Sequence, residues 1–120
     1  MPDLDTLIAR LETAEAGSRE LDFEIAIQAK IVPDGFTLDD NGEWRDRDGY
    51  VRRTWMCPRF SESLDASIPG EDIVTVVQWN GGPWTAWTRT GKRGIGHTEA
   101  LARRIAALRA RQAATEARGD

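Results

Sequence analysis

At 120 residues and 13.4 kDa, with 40% hydrophobic and 30% charged residues, the chain has the size and composition of one domain with one core, burying roughly two-thirds of its unfolded surface. A lone cysteine, Cys57, excludes an internal disulfide and a cysteine-based metal site, and reads as a buried hydrophobe in a reducing compartment. No apolar run approaches the ~20 residues of a membrane span and Met1-Pro2-Asp3 lacks the basic start of a secretory leader, so a cytoplasmic protein without a membrane partner is expected.

Charge is unevenly spread. The first 48 residues hold 13 acids against 5 bases and the remainder 7 acids against 11 bases, for a net −4, and 14 of the 16 bases are arginine. This is either a solvated arginine-rich surface or an anion-binding C-terminal half, since guanidinium forks suit phosphates. No strong nucleic-acid binding is expected.

Leu4, Leu7, Ile8 and Leu11 follow helical spacing with acids in the first turn, which predicts a helix with one apolar stripe. Gly17 ends it. Ser18 can cap a second helix from Arg19 to about Lys30, with Leu21, Ile25 and Ala29 on one face, completing an αα-hairpin. Pro33 and Gly35 break the pattern. Asp39-Asp40-Asn41-Gly42 and Asp46-Arg47-Asp48-Gly49 are turn signals around Glu43-Trp44-Arg45, predicting a short twisted hairpin. Thr37, Asp39, Asn41, Gly42 and Asp48 fall at calcium-loop spacing. Threonine at the first position, the missing terminal glutamate and a strand-like right flank favour turn chemistry instead.

Ser61 to Ser67, between Pro58 and Pro69, reads as a short connecting helix. Ile73 to Trp79 is a β-branched run with two apolar faces, followed by the turn Asn80-Gly81-Gly82-Pro83 and a Trp/Thr-rich strand from Trp84 to Thr90. A strand apolar on both sides suggests helices on opposite faces of one sheet. The last helix starts at Thr98, its expected N-cap, with Leu101, Ile105 and Leu108 in a stripe, and the tail past Ala113 is expected to fray. The expected fold is therefore α+β: a small α/β/α layered domain over residues 1–114, in the order α-α-β-β-α-β-β-α, with a tail at 115–120.

Two constellations could bind a ligand. Gly91-Lys92-Arg93-Gly94-Ile95-Gly96 joins a strand to a helix start, where backbone N–H groups and two cations make an anion site, although the glycine spacing fits neither nucleotide fingerprint. The alternative is a merely flexible connection. Trp84 and Trp87 should lie on opposite faces of their strand, so one of them can stack on a base. The candidate ligand-binding set is Trp84, Trp87, Arg89, Lys92, Arg93, Gly94, Gly96, His97, Thr98 and Arg104, with no cofactor and no metal. The single histidine, His97, sits at a helix entrance, a structural position. No nucleophile and base stand in a recognisable frame, so no enzyme is expected.

The order of several segments resembles the phage ABA-sandwich domain proteins: Leu4 to Leu11 with Arg19-Glu20-Leu21-Asp22, the Trp44 to Gly49 turn, Ser63-Leu64-Asp65-Ala66 before Pro69-Gly70, the Trp-rich hairpin, and Thr98-Glu99-Ala100-Leu101 through Ile105-Ala106-Ala107-Leu108-Arg109-Ala110. The resemblance covers nearly the whole chain and implies an α/β/α layered domain without catalytic residues. Arg103-Arg104 departs from the apolar pair common in that helix. By this resemblance the expected function is a phage accessory protein for counter-defence, sequestering a phosphorylated nucleotide signal. The alternatives are a protein-binding inhibitor of a host defence enzyme, acting through the acidic half or an aromatic patch, and a minor virion or assembly protein. A homo-oligomer is expected.

Overall fold

The computed structural model describes residues 4–32, 35–41, 43–52, 58–64, 66, 68 and 71–117, with side chains to 114. Expectations for Pro33, Gly42, Cys57, Asp65, Ser67, Pro69 and residues 118–120 lie outside the described residues.

The leucine stripe forms helix α1 (Leu4–Thr13), with Leu7, Ile8 and Leu11 buried. Helix α2 (Arg19–Gln28) begins as expected, the Ser18 hydroxyl accepting from the Leu21 N–H at 3.2 Å. It ends in a Schellman turn: Lys30 takes φ 57°, and the N–H groups of Lys30 and Ile31 donate to the carbonyls of Ile27 and Ala26.

Three two-residue strands, β1 (Thr37–Leu38), β2 (Trp44–Arg45) and β3 (Val51–Arg52), form an antiparallel meander where the turn signals predicted a hairpin. Its two turns use one device at a seven-residue interval. The Asp39 carboxylate accepts from the N–H groups of Asn41 and Glu43 and from Arg45 Nε; the Asp46 carboxylate accepts from those of Asp48 and Tyr50 and from Arg52 Nε. Of the carboxylates at calcium-loop spacing, that of Asp39 is thus occupied in closing a turn, whereas Asp48 enters the second turn through its backbone N–H.

The second sheet has the order β4-β5-β6, all antiparallel: β4 (Ile73–Gln78), β5 (Trp84–Thr88) and β6 (Arg93–Gly96). Asn80 and Gly81, with φ 49° and 74°, turn β4 into β5. Arg89-Thr90-Gly91 links β5 to β6, Gly91 holding φ 87° while the Thr88 N–H donates to the Lys92 carbonyl at 2.9 Å. Helix α3 (Glu99–Ala117) lies across one face of this sheet, and α1 packs beside α3 along β6. Thr98 caps α3 as expected, its hydroxyl accepting from the Leu101 N–H at 3.2 Å. The helix runs past Ala113 because only at Gly119 does the sequence offer a breaker.

The main core joins Leu7, Leu11, Ile25, Phe60, Ile68, Leu101, Ile105 and Leu108. A smaller one, Ala86 with Ala102 and Ala106, closes α3 on the sheet, flanked by Ile73, Val76 and Trp84. This is the expected α+β domain, with three differences. The stretch around Ser61 makes turns rather than a helix, because the carbonyls of Phe60, Ser63 and Leu64 accept from Arg104 and the Ser61 N–H donates to Asp22 at 2.8 Å. The glycine segment is strand β6. And the helices do not flank β4–β6 from opposite sides: among the described residues neither apolar cluster contains Thr75, Val77, Trp87 or Ile95. The two-sided apolar pattern belongs to β4 alone; β5 and β6 bring Thr85 and Arg93 to the second face, which stays open.

Candidate functional site

Strand pleating sorts the residues of β4–β6 onto two faces. Gly94 and Gly96 face α3 so closely that a β-carbon on Gly94 would fall 2.4 Å from the Ala102 carbonyl oxygen and from the Ala106 nitrogen. The intervening residues, Arg93 and Ile95, therefore point away from the helix. The register pairs Arg93 with Trp87 and Ile95 with Thr85, and across β4 it pairs Trp87 with Thr75 and Thr85 with Val77. These six side chains share one face, and among the described residues no helix or further strand covers it. Ile95 is 39% exposed, and beyond the end of β4 Trp79 is 72% exposed.

Trp87 and Arg93 are thus neighbours on adjacent strands. Among the described residues, neither the Arg93 guanidinium nor the Trp87 indole N–H has a hydrogen-bond partner. An aromatic plane, a free guanidinium and the hydroxyls of Thr75 and Thr85 stand on a rigid antiparallel sheet. Such a surface can stack on a planar group and bind an adjoining anion.

The rest of the expected binding set is dispersed. Trp84 lies on the helix side with the small apolar core, so the two tryptophans do occupy opposite faces. Arg89, at the hairpin tip, is tied to Asp72: its Nε donates to the carboxylate at 2.8 Å and its N–H to the carbonyl at 3.0 Å. Lys92 lines a groove with Asp5, Ile8, Arg109 and Gln112 on the helix side, away from Arg93. Adjacent residues of an extended strand point oppositely, so the two cations do not converge.

The anion cradle expected from Gly94 to Thr98 is not built. Residues 93–96 belong to a strand paired with β5, Gly94 and Gly96 are packing surfaces, the Thr98 hydroxyl caps the helix, and Glu99 sits in its first turn, held by Arg103 at 2.8 Å. His97 is exposed at the joint.

Arg104, a member of the expected binding set, is fully buried. Its Nε donates to the Phe60 carbonyl at 2.9 Å, Nη1 to both oxygens of Glu71 at 3.0 and 2.8 Å, and Nη2 to the carbonyls of Ser63 and Leu64. Burial draws its pKa down and Glu71 opposes that. It is a clamp that fixes Phe60, Ser63, Leu64 and Glu71 to α3. The arginine pair that departs from the resembled family is therefore split: Arg104 points inward, and Arg103 pairs with Glu99 nearer the surface.

Sequence reasoning missed Thr75, Val77, Thr85 and Ile95 as companions of Trp87. The available signal was the strand-like alternation Arg93-Gly94-Ile95-Gly96, obscured by reading the glycines as a loop. Among the described residues no group of three or more His, Cys, Asp or Glu is placed to hold a metal, and no helix is long and apolar enough to cross a membrane. No family model, curated protein or solved structure matches this chain.

Proposed function

We propose that this chain is a non-catalytic binding domain that takes a base-and-phosphate ligand of the nucleotide class on the open face of β4–β6. The observation that carries this reading is the pairing of Trp87 with Arg93 on an uncovered sheet face, where a base can stack on the indole while a phosphate meets the guanidinium. Thr75 and Thr85 offer hydroxyls on the same face for sugar or phosphate oxygens. The setting as a phage protein acting in counter-defence in the host cytoplasm, by sequestering a nucleotide signal, rests on the resemblance to the phage ABA-sandwich proteins.

A second reading has its own observation. Val74, Trp79 and Ile95 are exposed apolar side chains on or around this sheet, which favours a protein partner such as a host defence enzyme.

Titrating intrinsic tryptophan fluorescence with a panel of cyclic and linear nucleotides tests the first reading. Saturable quenching is expected, abolished in Trp87→Phe and weakened in Arg93→Ala by roughly ten- to a hundredfold, the worth of one charged hydrogen bond, with the melting temperature unchanged. Lys92→Ala should leave binding intact. Absence of quenching by every nucleotide, with a host protein co-purifying through Trp79 and Ile95, would replace the first reading by the second.

A further inference from the structure

We propose that β4 is a self-pairing edge: two copies of this chain join through it in antiparallel fashion about a two-fold axis, merging their sheets into one of six strands. Among the described residues only β5 pairs with β4. The opposite edge of β4 therefore turns backbone N–H and C=O groups outward, a template for strand addition unless charge, proline or a covering element blunts it.

The far edge of the sheet shows such protection. β6 opens on Arg93, directly after Lys92, and has α1 alongside. β4 differs: Ile73-Val74-Thr75-Val76-Val77-Gln78 contains no charge and no proline, and among the described helices and strands only β5 and α3 contact it. Its one irregularity is the register shift at Val74, which leaves Thr75 to Gln78 regularly paired. Exposed apolar side chains flank that stretch, Val74 at 48% and Trp79 at 72%.

The charge layout selects a second copy as the occupant. The chain enters β4 through Glu71-Asp72 and leaves through the uncharged Asn80-Gly81-Gly82 turn. Antiparallel self-pairing sets the entrance of one copy, where Arg104 and Arg89 balance Glu71 and Asp72, beside the neutral turn of the other and brings no unbalanced like charges together. A two-fold contact is also self-complementary, each residue meeting its reciprocal. Residues directly opposite must share a face, so Val76 meets Val76, or Val77 meets Val77. Either register leaves both α3 helices on one side and both Trp87–Arg93 faces on the other, an open platform of twice the width.

Sedimentation equilibrium on the full chain over a range of concentrations tests this. The wild type should be a dimer. Val74→Lys combined with Thr75→Lys, both at exposed positions, should place like charges across the axis and raise the dissociation constant at least tenfold, with an unchanged far-ultraviolet spectrum. Ile95→Lys, on the open face away from β4, should remain a dimer. A wild type that stays monomeric at hundreds of micromolar, a dimer that survives the double lysine variant, or one that Ile95→Lys dissolves would each overturn the proposal.

Discussion

The β1–β3 meander and the β4–β6 sheet are both three-stranded and antiparallel, yet they are held together by different physics. The meander has strands of two residues, and its turns are closed by aspartate side chains that take backbone N–H groups and an arginine six residues on. The β4–β6 sheet is held by shape: two glycines and Ala86 bring it against Ala102 and Ala106 of α3. Electrostatic closure suits strands this short, which enter the main core chiefly through Trp44. Close packing suits a sheet whose helix side carries small residues at the closest contact. The two also respond to different insults, charge neutralisation for one and added volume for the other.

The sharpest way to break the second sheet is Gly94→Val. Its β-carbon would collide with α3 backbone atoms that cannot move independently, and a loss of more than about 4 kcal/mol is expected, seen as failure to fold or a collapsed melting temperature. Leu108→Ala opens a cavity in the main core and should cost ~2–5 kcal/mol in denaturant melts. Ile95→Thr, one residue from Gly94 but on the open face, should change stability by only about 0.5–1 kcal/mol; a loss as large as that of Leu108→Ala would show the face to be covered.

The meander calls for a different experiment. Backbone hydrogen bonding, chiefly from Glu43, holds the Asp39 carboxyl below its ordinary 3.8, and the hydrogen bond from Arg52 does the same for Asp46. A depressed folded pKa means stability that is fully present above the ordinary value and lost as pH falls through the folded one. Amide protection at Asn41, Glu43, Asp48 and Tyr50 should therefore fade on acidification below 3.8, before that of β5. Asp46→Asn should remove that sensitivity from the second turn only.

Much of this fold is legible in the sequence because its signals are local. The stripes of α1 and α3, the Ser18 and Thr98 caps and the β4–β5 hairpin each follow from spacing within a few residues. Long-range partners are what hide the rest. Ser61 to Ser67 has a helix's entry residues, but Arg104 and Asp22, each about forty positions away, take the groups a helix would need. Glycine carries the opposite ambiguity: Gly91 serves a turn, as glycine commonly does, whereas Gly94 and Gly96 are glycine because a helix lies on top of them. Of the expected binding residues, Trp87 and Arg93 share a face. Arg104 does not join them, because a guanidinium in an alanine-rich helix looks the same in sequence whether it faces solvent or a buried glutamate.

The central claim is that the two faces of β4–β6 have separate duties, one packed and one binding. Mapping nucleotide-induced changes in backbone and indole NMR signals tests it most directly. The account predicts perturbations confined to Thr75, Val77, Thr85, Trp87, Arg93 and Ile95, with Trp84, Gly94 and α3 silent. Perturbations centred on the helix-side groove of Lys92 and Arg109, or on the start of α3, would contradict it.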